Sequence, residues 1–299
     1  VPYGAIAGYL ELPAGEYDLK ITNPDGTVTL IDPMPVTLND GDILSAFAVG
    51  DGSNQPLGVF AWPSDQVGFL LPLAASLRIA HLAPFAADPG TAVTVTVDGV
   101  PLLTGIEFAD STAYLPLSAG VDHLIEIFPG GSTTAAISAT LNLTQAMDFT
   151  AIAVGGANTR PLELTLLEDD NSPPASGFAK VQIGHLAPFA ALEADTLADV
   201  RLQDGTVILD DVPYGAIAGY LELPAGEYDL RITDPDGTVT LIDPLPVTFN
   251  DGDILSAFAV GDGSNQPLGV FAWPSNQVGF LLPLTEYQLY LSIIMFNAP

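Results

Sequence analysis

The chain has 299 residues, of which 48% are hydrophobic, and it contains 26 prolines, 29 glycines and no cysteine. Six basic residues stand against 36 acidic ones, so the formal net charge is −30. This composition excludes an intrinsically disordered chain, disulfides and thiol catalysis, and so acidic a surface would repel nucleic acid. No apolar run reaches the roughly 20 residues of a membrane-spanning helix, so we expect no membrane-spanning segment.

The opening segment of the chain recurs almost unchanged near its end. Val1–Leu73 matches Val212–Leu284, and the later copy is preceded by Ala179–Asp211, which the earlier copy lacks. The two copies differ at Lys20/Arg231, Asn23/Asp234, Met34/Leu245, Leu38/Phe249 and Asp65/Asn276. We therefore expect residues 1–73 to be a truncated β-sandwich without its first strands, so that the chain opens inside a domain.

The opening segment carries strand and turn signals. Glu16–Thr22 alternates apolar and charged residues, which is typical of a half-buried strand. Ile43–Val49 is apolar on both faces, which predicts a central strand. Asn-Pro-Asp-Gly at residues 23–26 and Asp-Gly at residues 51–52 predict tight turns.

A divergent but complete copy of the same domain follows at residues 74–170. Leu77–Ala86 parallels Val181–Ala190, and Ile106–Gly120 parallels Val212–Gly226. Thr91–Asp98 alternates valine with threonine, as a half-buried strand does. The proline- and serine-rich residues 171–177 predict a linker, and residues 178–284 predict a second complete domain.

Short strands separated by turns, with no convincing amphipathic helix, predict an all-β chain. We expect tandem Ig-like antiparallel β-sandwich domains, of which the N-terminal one is incomplete.

The strand ends carry a recurring motif: His-Leu-x-Pro, then Asp-Gly or Val-Asp-Gly, then Tyr-Leu-x-Leu-x-Ala-Gly. It occupies His81–Pro84, Val97–Gly99 and Tyr114–Gly120 in one domain, and His185–Pro188, Leu202–Gly205 and Tyr220–Gly226 in the next. The chain thus resembles the family called domain of unknown function 4397. The resemblance implies secreted or surface-anchored Ig-like modules, often in tandem, and implies no chemistry. Phe85 and Phe189 stand where family members usually have an aspartate.

The end of the chain, residues 285–299, is predicted to be an apolar strand that resembles the first strand of another domain. Its large apolar residues share one face: Tyr287, Leu289, Leu291, Ile293 and Met295. We expect this donor-like strand to complete residues 1–73 of another copy, which would build a head-to-tail homopolymer. Two alternatives stay open: the segment packs on its own domain, or the chain is a window from a longer repetitive protein.

The predicted function is a structural subunit of an extracellular filament or surface layer. The alternative is a monomeric cell-surface adhesin or carbohydrate-binding module. In that case Trp62, Trp273, Tyr9 and Tyr220 could line an aromatic sugar platform, but the favoured interpretation is that Trp62 and Trp273 cap the end of a sandwich. The chain has no phosphate loop, nucleophile elbow or zinc-protease motif, so we expect no enzymatic activity and no cofactor.

The acidic turns have two interpretations, and ordinary turn chemistry is favoured over cation binding. Asp40, Asp42, Asp251 and Asp253 lie in Asn-Asp-Gly-Asp turns, whose oxygens could bind calcium, although these turns do not fit the EF-hand pattern. His81 and His185 end equivalent strands without a clustered partner, so we expect structural imidazoles bonded to the backbone. The same interpretation applies to His123.

Overall fold

The structure is a computed structural model that describes residues 4–285. Within this range the chain is all-β, and its one helical element is a short 3-10 turn at Glu193–Thr196. Among these residues there is no helix long and apolar enough to cross a membrane. The predicted interface residues Tyr287, Leu289, Leu291, Ile293 and Met295 lie outside the described residues.

Residues 4–73, here called the first copy, form three small sheets. Their strands are β1 (Gly15–Tyr17), β2 (Ile21–Thr22), β3 (Thr29–Ile31), β4 (Val36–Leu38), β5 (Leu44–Val49), β6 (Gly58–Pro63) and β7 (Phe69–Leu70). The sheets have the orders β1-β4, β2-β3 and β5-β6-β7. A small core of Ile31, Val59, Ala61 and Leu71 holds them together.

Residues 74–170, the second sandwich, form two four-stranded sheets. Their strands are β8 (Ala74–His81), β9 (Val93–Val97), β10 (Val100–Ile106), β11 (Leu115–Ser118), β12 (Asp122–Pro129), β13 (Ile137–Asn142), β14 (Asp148–Val154) and β15 (Glu163–Asp169). The sheet orders are β11-β8-β14-β15 and β10-β9-β12-β13. The pairing of β8 with β14 is parallel, and the other pairs are antiparallel. Ile79, Val95, Ile125 and Phe149 contribute to the core between the sheets.

Residues 178–285, the third sandwich, repeat this architecture with more divided strands. They are β16 (Phe178–His185), β17 (Ala198–Leu202), β18 (Val207–Val212), β19 (Ile217–Pro224), β20 (Gly226–Tyr228), β21 (Leu230–Thr233), β22 (Thr240–Ile242), β23 (Val247–Phe249), β24 (Ile254–Val260), β25 (Gly269–Pro274) and β26 (Phe280–Leu281). The main sheets have the orders β19-β16-β24-β25-β26 and β18-β17-β21-β22, and β20 pairs with β23. As in the second sandwich, the pairing of the first strand, β16, with β24 is parallel.

The first copy and the third sandwich show what the missing strands do, because their sequences are nearly identical. Ile217–Pro224 forms β19 against β16, whereas the matching residues 6–13 form no strand. Tyr9 and Leu10 are each 80% exposed there. Extended backbone needs a hydrogen-bonding partner, and the first copy has no counterpart of β16.

The predicted central strand behaves differently in the two copies. β24 lies between β16 and β25, as its double-sided apolar pattern predicts. The prediction is wrong for β5, which is an edge strand paired with β6 alone among the described residues. The predicted strand Glu16–Thr22 is divided into β1 and β2, as its counterpart is divided into β20 and β21. β21 begins at Leu230, where it pairs with β17, whereas β2 begins only at Ile21, since the first copy has no counterpart of β17.

The second and third sandwiches pack on each other through the outer faces of the sheets that contain β8 and β16. One buried apolar cluster, here called the junction, draws on both sandwiches. Its members are Ala80, Leu82, Ile152, Val154, Leu186, Phe258, Val260, Phe271 and Trp273. The junction makes the two sandwiches one packed unit.

Candidate functional site

An arginine lies at the centre of the junction. Arg78 projects from β8 and is 1% exposed. Its Nε donates to Thr150 Oγ1 at 2.7 Å, and its terminal nitrogens donate across the junction to the Pro274 carbonyl at 3.2 Å and to Ser256 Oγ at 3.4 Å. The guanidinium carbon also lies 4.3 Å from the centroid of the Trp273 ring. Arg78 therefore joins the two sandwiches by hydrogen bonds and by a cation–π contact.

The negative partner of this arginine is the buried carboxylate of Asp169. Its Oδ1 lies 3.5 Å from Arg78, and its Oδ2 accepts from the Tyr114 hydroxyl at 2.7 Å and from Thr150 Oγ1 at 2.6 Å. Burial, followed by the charge of Asp169, raises the pKa of Tyr220 to about 12. A buried ion pair of this kind persists only where its remaining hydrogen-bonding positions are also satisfied.

Side chains at the edge of the junction make reciprocal contacts. Asn158 of the second sandwich donates its amide to the Pro188 carbonyl at 2.6 Å. In the opposite direction, Asn265 of the third sandwich donates to the Pro84 carbonyl at 3.0 Å. Pro84 and Pro188 occupy the same place in the His-Leu-x-Pro motif. The junction is therefore built from matching loops of both sandwiches.

Over residues 4–285, the first copy presents the same aromatic residues without a covering partner. Trp273 and Phe258 are 0% exposed in the junction, whereas their counterparts Trp62 and Phe47 are 56% and 38% exposed. We call the surface of Phe47, Phe60 and Trp62 the open face. A sequence that buries these rings in one setting and exposes them in another marks the open face as a candidate interaction surface.

The predicted structural histidines are confirmed. His81 Nε2 donates to the Thr91 carbonyl at 2.9 Å, and its Nδ1 accepts from the backbone N–H of Ala83 at 3.4 Å. His185 makes the matching bonds to Thr196 and Ala187. Burial lowers the pKa of both imidazoles, so the neutral form stabilises the fold.

His123 is also held by hydrogen bonds, to the backbone as predicted and in addition to a carboxylate. Its Nδ1 lies 2.7 Å from Asp98 Oδ2, and its Nε2 lies 2.8 Å from the Ser118 carbonyl. The bond from His123 lowers the pKa of the Asp98 carboxyl.

Stability should fall as the pH drops below about 6.5, the ordinary pKa of histidine. Below that value the unfolded chain binds protons that folded His81 and His185 resist, at a cost of at most about 1.4 kcal/mol per pH unit for each histidine. Urea unfolding between pH 7 and pH 5 measures this slope. A chain carrying His81→Gln and His185→Gln should show a shallower slope, and an unchanged slope would contradict this prediction.

The family assignment follows from the whole chain. The model of the family described as "Domain of unknown function (DUF4397)" matches residues 1–88, 75–195 and 191–277. The chain belongs to the DUF4397 family. This membership confirms the resemblance drawn from the His-Leu-x-Pro and Tyr-Leu-x-Leu-x-Ala-Gly motifs. A comparison with curated proteins gives no match.

Solved structures show only distant likeness to this DUF4397 chain. One shows alpha-glucan recognition by family 41 carbohydrate-binding modules from streptococcal virulence factors. It has 15% identity and TM-score 0.22, and the match covers 64% of this chain and 95% of that one. Another is CBMbc (family CBM26) from Eubacterium rectale Amy13K in complex with maltoheptaose, with 11% identity, TM-score 0.22, and coverage of 65% and 95%. A third is the Bacillus anthracis TIE protein, with 15% identity, TM-score 0.19, and coverage of 92% and 60%. At these TM-scores the likenesses carry no argument.

The two phenylalanines that depart from the usual DUF4397 motif have a packing role. The Phe85 ring stacks on His81 with centroids 5.5 Å apart, and Phe189 stacks on His185 at 5.4 Å. An aspartate would offer a charge at this place, whereas each phenylalanine covers its imidazole.

The predicted sugar platform does not form as one surface in this DUF4397 chain. The expectation is wrong for Trp273, which is fully buried in the junction. Tyr220 is half-buried, and the Lys180 ammonium lies 5.4 Å from its ring centroid. Trp62 and Tyr9 are exposed on the first copy.

The calcium candidates act as turn residues in the structure, and calcium binding stays a prediction. Asp42 Oδ2 accepts from the Asn39 backbone at 2.8 Å, Asp253 Oδ2 does the same for Asn250, and Asp251 accepts from Gly177 N–H at 2.6 Å. Asp40 is exposed beside Asp42. Over residues 4–285 the cluster of carboxylates close enough together to hold a metal does not include these four residues. It is formed by Asp199, Asp210 and Asp211.

Sequence reasoning missed the polar centre of the junction. The available signal was Arg78 itself, one of six basic residues in the chain, standing between Leu77 and Ile79 in an apolar strand. A buried arginine requires an anionic partner, but the sequence does not show that Asp169 supplies it.

Proposed function

We propose that this chain is a structural subunit of an extracellular filament or surface layer, and that it assembles head-to-tail with copies of itself. The segment that follows Leu284 in one copy would complete the first copy, residues 4–73, of the next. The observation that carries the proposal is the contrast between two nearly identical sequences. Residues 6–13 form no strand and Tyr9 is 80% exposed, whereas the matching Ile217–Pro224 pairs with β16.

The free edge of β5 specifies what a donor strand would have to do. In the third sandwich β16 lies parallel to β24 and antiparallel to β19. A donor would therefore run parallel to β5 and give residues 6–13 the backbone partner that the described part of the chain does not provide. Its inward side chains would take the places that Val181 and Ile183 hold in β16.

The segment 285–299 has the pattern that this place requires. In an extended conformation its five large apolar residues point to one side, and burying them is worth roughly 1.5–3 kcal/mol each. Ordering the segment costs roughly 1–2 kcal/mol per residue, so net backbone hydrogen bonds of about 1 kcal/mol each must tip the balance. Main-chain pairing along a free edge is the usual source of affinity in strand addition.

Charge on the apolar side of this segment should prevent assembly. We expect the unaltered chain to form fibres or sheets in negative-stain electron micrographs, and the full chain with Leu289→Asp and Leu291→Asp to remain monomeric. The matched control carries Gln288→Asp and Ser292→Asp, which add the same charge on the opposite side, and it should still assemble. Assembly of the Leu289/Leu291 variant, or an unaltered chain that stays monomeric, would contradict the proposal.

A monomeric adhesin or carbohydrate-binding module is the second candidate, and the exposed aromatic rings of Trp62 and Tyr9 favour it. Aromatic rings with one free face can stack on sugars, but Trp273 shows the same sequence buried by protein. Monomers by light scattering, together with glycan binding that Trp62→Ala abolishes, would establish this alternative in place of the filament.

A further inference from the structure

The third sandwich contains a cavity of about 560 Å³ between its two sheets. Its wall is mostly apolar and includes Val181, Ile183, Val200, Leu230, Leu255 and Ala257. Protein cores are normally packed with few voids larger than a water molecule, whereas small-molecule sites measure about 300–1,000 Å³. The cavity has the size of a binding site.

The second sandwich shows that this space is not a general feature of the fold. Four inward positions that are closed in the second sandwich are only half-buried in the third, where they line the cavity. Ile79 (2% exposed), Val95 (0%), Ile125 (1%) and Ala151 (1%) correspond through the strand registers to Ile183, Val200, Leu230 and Ala257. The interior of the third sandwich is therefore open where that of the second is filled.

Both side chains and backbone create the space. The parallel registers place Leu255 where the second sandwich has Phe149, and the next strand has Val270 in place of Leu164. In addition, β13 is continuous, whereas β22 ends at Ile242 and is followed, after two prolines, by β23, which pairs with β20 in a separate sheet. Smaller side chains and an interrupted strand leave a gap that the sheets do not close.

Four polar residues of the wall lie at the mouth of the cavity, and the half-buried Asp253 and Ser275 also line it. Thr248, Asn250, Asn276 and Gln277 line it and are exposed. His185 also lines the cavity, but both of its nitrogens are bonded to backbone.

Arg231 of β21 lies among the residues that line the cavity, but its side chain does not point into it. Its neighbours Leu230 and Ile232 point inward, so strand alternation places its side chain on the opposite face of the sheet. The interior therefore offers no cation to a bound anion, and the net charge of −30 repels anions further.

We propose that this cavity binds a neutral single-chain lipid. Its hydrocarbon chain would lie between Ile183, Leu230 and Ala257, and its uncharged polar end would meet Asn276 and Gln277 at the mouth. The burial of an unbranched chain is worth about 0.8 kcal/mol per methylene, and the exposed amides offer both donors and acceptors to a hydroxyl group. This proposal is independent of head-to-tail assembly.

The test uses the full chain, Nile red as a neutral apolar probe and 1-hexadecanol as the competitor. We expect saturable Nile red fluorescence at one site per chain, and its displacement by 1-hexadecanol. Ala257→Leu and Leu255→Phe fill the cavity by different routes, and each should weaken binding by about tenfold or more, the range for added methylenes in an apolar pocket. Both variants should keep the near-ultraviolet circular dichroism of the unaltered chain.

The repeat supplies matched controls. Ala46→Leu and Leu44→Phe make the same changes in the first copy, which lacks the strands that enclose the space, and they should leave binding unchanged. Absence of saturable binding, or loss in the first-copy variants alone, would overturn the proposal. Binding that appears only when Leu289 and Leu291 are changed to aspartate would also overturn it, because the chain's own end segment would then be the occupant.

Discussion

Replacement of Arg78 by methionine should lower the free energy of unfolding by about 3–5 kcal/mol, the usual cost of breaking a buried ion pair on one side. The change leaves the Asp169 carboxylate buried without its cation and removes the hydrogen bonds to Thr150, Ser256 and Pro274. Urea unfolding followed by circular dichroism and tryptophan emission measures the loss. The blue-shifted emission of Trp273 should disappear at lower urea than in the unaltered chain.

Two controls separate the charge from the packing. Adding Asp169→Asn to the Arg78→Met chain removes the unpaired charge and should recover part of the stability. Gln182 is the counterpart of Arg78 in β16 and accepts a hydrogen bond from Ser256 Oγ at 3.2 Å, so Gln182→Met should cost about 1 kcal/mol. Equal losses of unfolding free energy in the Arg78→Met and Gln182→Met variants would contradict the central role of the arginine.

Truncation of the two tryptophans should lower the stability of the chain by very different amounts, although the local sequence around them is the same. Trp273→Ala should cost about 3–5 kcal/mol, because it empties a fully buried site in the junction. Trp62→Ala should change the stability of the monomer by no more than about 0.5 kcal/mol, since the ring is 56% exposed. Urea midpoints of the two variants, measured at a protein concentration that keeps the chain monomeric, make the comparison.

The phenylalanine pair provides an independent check of the same contrast. Phe258→Ala should lower the free energy of unfolding strongly and Phe47→Ala only slightly, because the two side chains are 0% and 38% exposed. If the two matched alanine variants of a pair lower the free energy of unfolding of the monomer equally, the open face is covered by this chain itself and is not available to a partner.

The sandwich architecture could be predicted from sequence because it depends on local alternation and turns. Thr91–Asp98 predicted β9, and the apolar Ile254–Val260 became the central strand β24. The same seven-residue sequence failed as a prediction for β5. Whether a strand is central depends on a neighbour that the local sequence does not contain.

The candidate sites were less accessible to sequence reasoning. The repeat predicted that the first copy lacks its first strands, and Tyr9 and Leu10 are exposed where the matching residues pair with β16. The cavity is the space left between two sheets. Its size depends on side chains distant in sequence, such as Leu230 and Leu255. Arg78 and Asp169 are separated by 91 residues, so their pairing is a property of the fold.

The reciprocal bonds of Asn158 and Asn265 have a consequence for how the two sandwiches stay together. Each sandwich gives an amide to a matching carbonyl of the other, an arrangement close to the isologous contact between the halves of a symmetric dimer, although the two donors are one position apart in their matching loops. Here residues 171–177 tether those halves within one chain. A short flexible tether holds its ends at an effective concentration in the millimolar range. The pairing is therefore intramolecular, and dilution does not separate it.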